Sequence, residues 1–225
     1  MKKLFFTLLV TATIGSLQAQ LGGGLSSADI GNGLKEALNK GVQDGTAKLS
    51  ALDGFFKNAA IKILMPPDAV KAESTLRNMG MGPQVDQAIL SMNRAAEDAA
   101  KSAAPIFLDA IKQMSFQDAL GILKGGNTSA TDYLKAKTTA PLTTAFRPVI
   151  DQSLAKVDAT KYWNTCISAY NKVPFVKKVN PDLAAYVTEK ALYGIFYQIA
   201  LEEVQIRQNP VARTSDLLKK VFGGL

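Results

Sequence analysis

Along most of this chain apolar residues return every three or four positions, the period of a helix with one buried face. The densest such stretch lies near the C-terminus, between Asp182 and Arg207. There Ala191-Leu192-Tyr193-Gly194-Ile195-Phe196-Tyr197-Gln198-Ile199-Ala200-Leu201 carries one strongly polar side chain, Gln198. Pro181-Asp182 opens the stretch and Asn209-Pro210 closes it, as helix boundaries require. A helix apolar all the way round has no side suited to water. It is expected as the buried hub of a helical bundle.

A second seam runs through Val85, Ile89, Met92, Ala96, Ala99, Ala103 and Ile106, spaced alternately four and three apart. Its alanines invite another helix backbone to approach closely. Gln87, Ser91, Arg94, Asp98 and Lys101 fall on the opposite side, expected in solvent, and Pro105 predicts a restart of the helix. Before this seam, a helix beginning at Ser27-Ala28-Asp29 continues past Leu49, weakened by Gly41 and Gly45. A turn at Asp53-Gly54, a short amphipathic segment up to Pro66-Pro67 and a helix from Asp68 to Gly80 follow.

After the seam, Ser115 to Asp118 and Ser129 to Asp132 both read as capping boxes. A separate helix is expected from about Ala140, bent near Arg147 by Pro148, and another from Asp158. Val173 to Pro181 is the one long non-helical connection, and Ser215 to Phe222 forms a last amphipathic helix. No strand alternation or repeat appears elsewhere. The reading is an all-α chain: a single multi-helix, bundle-like domain over 28–222, a flexible lead at 20–27 and a tail at 223–225.

Composition changes this picture mainly by exclusion. There is no histidine, which removes imidazole bases, Ser-His-Asp and Cys-His arrangements and every histidine-containing metal set. The single cysteine, Cys166, forms neither an intrachain disulfide nor a cysteine-rich zinc site. No cofactor, metal set or catalytic residue is assigned. Met1-Lys2-Lys3, the apolar run Leu4 to Leu17 and the small Ala19 predict a signal peptide over 1–19 and export, most simply to the periplasm. No cysteine follows the expected cleavage point, so a lipoprotein is not expected. The chain's formal charge is +7, and Lys2 and Lys3 leave with the signal. About +5 then remains, a mild bias toward an anionic membrane surface. Without a long Lys/Arg run, nucleic acid is not an expected partner.

Candidate polar chemistry gathers at the end of the hub. Leu192, Ile195, Ile199, Glu202 and Ile206 share one seam by spacing, so Glu202 occupies a position its neighbours mark as buried, while Glu203 lies four residues before Arg207. A buried carboxylate needs a cation or several donors. Arg94 and Arg147 are candidate partners, with Asn93 and Glu97 joining the same network. The leading expectation for Glu202 and Glu203 is a solvated helix end or a structural ion pair; a buried network and a catalytic carboxylate are the alternatives. Tyr186, Tyr193 and Tyr197 share a face of the hub and read either as a pocket lining or as core with hydroxyls at its edge. Trp163 and Cys166 read as core.

Several stretches resemble a bacterial family known as domain of unknown function 4197. They are Met92-Asn93-Arg94-Ala95-Ala96-Glu97, Gly125 through Ala130-Thr131-Asp132-Tyr133, Tyr186-Val187-Thr188, Gly194-Ile195-Phe196, Glu202-Glu203, Ile206-Arg207-Gln208-Asn209-Pro210 and Leu217 to Gly223. The resemblance implies an exported helical protein and transfers no functional residue, since the family carries no established activity. The leading expectation is a non-enzymatic envelope protein that binds an apolar or amphipathic ligand, or a protein partner, between its helices. A structural, self-associating protein is the alternative. A hydrolase using Glu97, Glu202 and Arg207 is the third.

Overall fold

Helix boundaries follow the capping chemistry written in the sequence. In this computed structural model, which describes residues 26–179, 182–213 and 215–223, nine α-helices and no strand appear among the described residues. They are α1 (Ser27–Ser50), α2 (Val70–Asn78), α3 (Gly82–Ala100), α4 (Ala103–Lys112), α5 (Phe116–Lys124), α6 (Ser129–Lys156), α7 (Ala159–Asn171), α8 (Leu183–Gln208) and α9 (Asp216–Phe222). Ser26 caps α1 and Ser115 caps α5 by full capping boxes with Asp29 and Asp118. Asp182 and Ser215 accept the backbone N–H of Ala185 and Leu218 and so start α8 and α9. The protein is all-α, as the periodicity predicts. The signal peptide expected over 1–19 lies outside the described residues, as do Gly224 and Leu225 of the tail.

Two helices share the centre. The expected hub, α8, packs against α6, α1 and α3, while α3 packs against α6, α7, α8 and α1. The alanine seam of α3 explains its place: Ala95, Ala96, Ala99 and Ala100 are fully buried and let neighbouring helices come close. Phe55, Phe107, Phe146, Met92 and Leu142 fill the core between these helices. The glycines of α1 also mark close approach. A Cβ at Gly45 would lie 3.4 Å from Gln198 Cγ of α8, and one at Gly41 would lie 3.5 Å from Glu202 Cβ. No described helix is long and apolar enough to cross a membrane.

Four expectations need correction. The helix expected from Ala140 is the second half of one 28-residue helix, α6, which carries both Pro141 and Pro148 inside it. Packing against α8, α3 and α4 holds α6 helical where local propensity alone favours a break. The amphipathic segment after Asp53 is not helical; residues 51–66 form turns and irregular backbone whose Phe55, Ile61, Ile63 and Met65 plug the core. Ser91 is buried rather than solvated, its hydroxyl donating to Val157 O at the C-cap of α6. Finally, α8 is not enclosed on every side: Tyr193 is 54% exposed and Leu201 42%.

Candidate functional site: the groove between α6 and α8

The polar residues singled out by the sequence do not form one network. They separate into four groups, and two of these bind backbone of other segments. In the first, α3 clamps the irregular segment 51–66. Asn93 Oδ1 accepts Ile63 N–H at 2.9 Å, and Asn93 Nδ2 donates to Ile63 O at 2.7 Å and to Ile89 O at 2.8 Å. Glu97 Oε1 accepts the N–H groups of Phe55 (3.1 Å) and Phe56 (3.2 Å). Arg94 bridges Glu97 and Asp53 at 2.6 Å each, and Lys57 together with Arg94 holds the Asp53 carboxyl below its ordinary range. A buried segment without helical hydrogen bonds must find partners elsewhere, and these side chains supply them.

In the second group, Glu203 and Arg207 join two helix ends. Glu203 is 8% exposed; its carboxylate accepts Ala130 N–H (3.0 Å), Thr131 N–H (2.8 Å) and the Thr131 hydroxyl (2.8 Å) at the start of α6. Arg207 pairs with Glu203 at 2.9 Å and donates to Ile122 O and Leu123 O at the end of α5. The anion thus meets a helix N-terminus and the cation a helix C-terminus, each complementing the local dipole. This contact replaces the capping box expected at Ser129, because Thr128 flanks α6 and makes no side-chain cap.

The third group corrects the placement of the buried carboxylate. Glu202 is only partly buried and is held by Lys48 of α1 and by Gln198. One residue advances a helix by about 100°, and the α5–α6 corner lies over the side that Glu203 occupies. The fourth contains Arg147, which reaches none of the others. Its guanidinium donates to Asp182 at 2.8 Å and approaches Asp151 at 3.5 Å, so it ties the C-terminal half of α6 to the start of α8. The Asp182 carboxyl is held low, first by the Ala185 N–H and then by Arg147.

With those side chains engaged, a groove of about 620 Å³ lies open between α6 and α8. The two helices run antiparallel along it, since Glu203 meets Thr131 at one end and Arg147 meets Asp182 at the other. From Thr131 to Arg147 the groove is about 24 Å long at the helical rise per residue. The α8 wall is apolar from Leu192 through Tyr193, Phe196 and Tyr197 to Ala200, with Thr188 and Glu189 before it. Tyr193 and Tyr197 stack with ring centroids 6.3 Å apart, and Phe196 is fixed from behind by an edge-on contact with Phe107 at 5.5 Å. The α6 wall carries Thr131, Lys135, Thr139 and Thr143. The hydroxyls of Thr139 and Thr143 donate to carbonyls one turn back, at 2.6 and 2.8 Å. They offer methyls and acceptors to the groove rather than free donors.

Charge is confined to the two ends, Asp132 and Lys135 at one and Arg147 and Glu189 at the other. Arg147 is paired, whereas Lys135 has no carboxylate within 4.0 Å among the described residues. Of the three tyrosines expected on one face, Tyr193 and Tyr197 line the groove. Tyr186 does not; its hydroxyl donates to Leu64 O at 3.1 Å, and burial pushes its pKa up. Sequence reasoning missed the α6 wall. Its threonines recur at helical spacing, a signal legible only once α6 is one helix. Among the described residues no three His, Cys, Asp or Glu side chains converge as a metal set would.

Comparison with known proteins places the chain by family alone. No curated protein and no solved structure matches it. A family model described as "Protein of unknown function (DUF4197)" matches residues 24–223, and the chain belongs to that family.

Proposed function

We propose that this is an exported, non-enzymatic binding protein that holds a single-chain amphiphile in the groove between α6 and α8. The observation carrying this reading is the open side of α8. A helix apolar all round has Tyr193 half exposed and Tyr197 partly covered, both facing a groove rather than a neighbouring helix. The groove's volume falls within the range of small-molecule sites, and its length exceeds the depth of one bilayer leaflet, about 15 Å. A chain-like apolar body fits the Leu192–Tyr193–Phe196 wall, and a polar head fits near Lys135, a groove cation with no carboxylate within 4.0 Å among the described residues. Export rests on the N-terminal pattern of residues 1–19.

The carboxylates offered for a hydrolase give that reading no support. Glu97 is spent on Arg94 and backbone N–H groups, and Glu202 on Lys48 and Gln198.

Lipid extraction and mass spectrometry of protein purified without detergent tests the proposal, followed by melting curves with fatty acids and lysophospholipids. An amphiphile is expected to co-purify, and saturating ligand at about 100 times its Kd is expected to stabilise the fold by about 2.7 kcal/mol. Thr139→Phe, which narrows the groove at its middle, is expected to abolish that rise while leaving the unliganded melting temperature within a few degrees. No co-purifying amphiphile and no rise with any of these ligands would sink the proposal.

A further inference from the structure

We infer that the loop between α7 and α8 docks the protein on an anionic lipid surface, with Phe175 as the apolar anchor and Lys172, Lys177 and Lys178 as the cations. The loop is held at its base. Asn171 Nδ2 donates to Val179 O at 2.9 Å, and Val179 N–H donates to Asn171 Oδ1 at 3.0 Å. Val179 is buried and Val176 packs against the core. Phe175 does the opposite: at 107% it is fully exposed, more than Val211 (86%) or Leu52 (77%). Its backbone sits at φ 64°, a left-handed conformation that bulky residues seldom adopt. Folding gains nothing from turning a phenylalanine outward on strained backbone, and such strain is characteristic of contact sites.

Charge and size identify the partner. Between Asp158 and Asp182 the chain has four lysines, Lys161, Lys172, Lys177 and Lys178, and no acidic residue. Lys172, Lys177 and Lys178 are all exposed, and none has a carboxylate within 4.0 Å among the described residues. One ring on a short loop is far smaller than the roughly 800 Å² per partner of a stable protein interface. It suits a bilayer surface, where an aromatic side chain enters the headgroup region and lysines meet anionic lipid. This inference rests on the loop and stands whether or not the groove binds an amphiphile.

Sedimentation of the full chain with vesicles tests it, using phosphatidylcholine alone and phosphatidylcholine mixed with phosphatidylglycerol. Residues 1–25 are common to every variant, so differences between variants report the loop. Binding is expected to favour the anionic vesicles, to weaken as salt rises and to fall about fivefold for each of Lys177→Gln and Lys178→Gln. Phe175→Gly is expected to weaken binding about tenfold or more, with the melting temperature unchanged or raised because glycine accepts this φ. In Phe175→Trp, emission is expected to shift to the blue on anionic vesicles, against a constant background from the buried Trp163. Three results would each overturn the inference: no binding to anionic vesicles, equal binding to both compositions, or equal binding by wild type and Phe175→Gly.

Discussion

At the scale of single residues, Glu202 and Glu203 show how far adjacent identical side chains diverge. Glu203 accepts three hydrogen bonds at the start of α6 and pairs with a nearly buried Arg207. Glu202 faces an exposed Lys48. Removing one partner of a buried pair leaves the other charge stranded, whereas a partly exposed pair contributes little. Glu203→Gln is therefore expected to lower the unfolding free energy by about 3 kcal/mol, and Glu202→Gln by less than about 1 kcal/mol. Urea unfolding of both variants checks this, and equal losses would contradict the assignment. The seam of Leu192, Ile195, Ile199 and Ile206 located the buried side of α8 but named the wrong carboxylate. A seam in one helix contains nothing about the α5–α6 corner that approaches from elsewhere in the chain.

At the scale of elements, the chain solves the problem of an irregular segment inside a helical core. Residues 51–66 place Phe55 and Ile63 in the interior, and α3 accepts their N–H groups through Glu97 and Asn93. On the opposite side, Gly194 of α8 leaves room for the ring: a Cβ there would fall 2.5 Å from Phe55 Cε1. Gly194→Ala is thus expected to destabilise by about 1–3 kcal/mol through overpacking, and by clearly less in a Phe55→Leu background. A double-mutant cycle in denaturant reads the coupling; additive losses would mean that the two positions do not meet. Helix existence and most caps were legible because they are local. Ser115 with Asp118 is an example, since four consecutive residues carry the whole contact. Asn93, Arg94 and Glu97 were legible as candidates, but their role was not, because Asn93 and Glu97 bind backbone groups, and Arg94 the Asp53 carboxylate, about 30 to 40 positions earlier. The groove was half legible: Tyr193 and Tyr197 could be read off α8, while the opposing threonines needed the tertiary packing that keeps α6 whole across two prolines.

At the scale of the whole molecule, the absence of histidine shapes how stability must depend on pH. No side chain has an ordinary pKa between roughly pH 5 and 8, so stability is expected to be flat there. Below that window carboxylates matter. The carboxyls of Asp98, Asp118 and Asp182 are held low: by the Ser153 hydroxyl and Lys101, by the Ser115 cap, and by the Ala185 N–H and Arg147, respectively. A group depressed in the folded state contributes stability above its unfolded pKa and loses it as pH falls through the folded value. Stability should therefore decline below about pH 4, the ordinary aspartate range. On the alkaline side burial raises the pKa of Cys166, Tyr133 and Tyr186. The folded state then keeps those protons longer than the unfolded chain does. Stability should fall as pH rises beyond about 8.5, first through the thiol and then through the phenols. The denaturant midpoint measured from pH 3 to 10 is expected to trace a plateau with a shoulder at each end. Cys166→Ala should move the alkaline shoulder upward without altering the acid one. A midpoint that changed steeply between pH 5.5 and 7.5 would contradict this expectation, because no residue type in the chain has an ordinary side-chain pKa there.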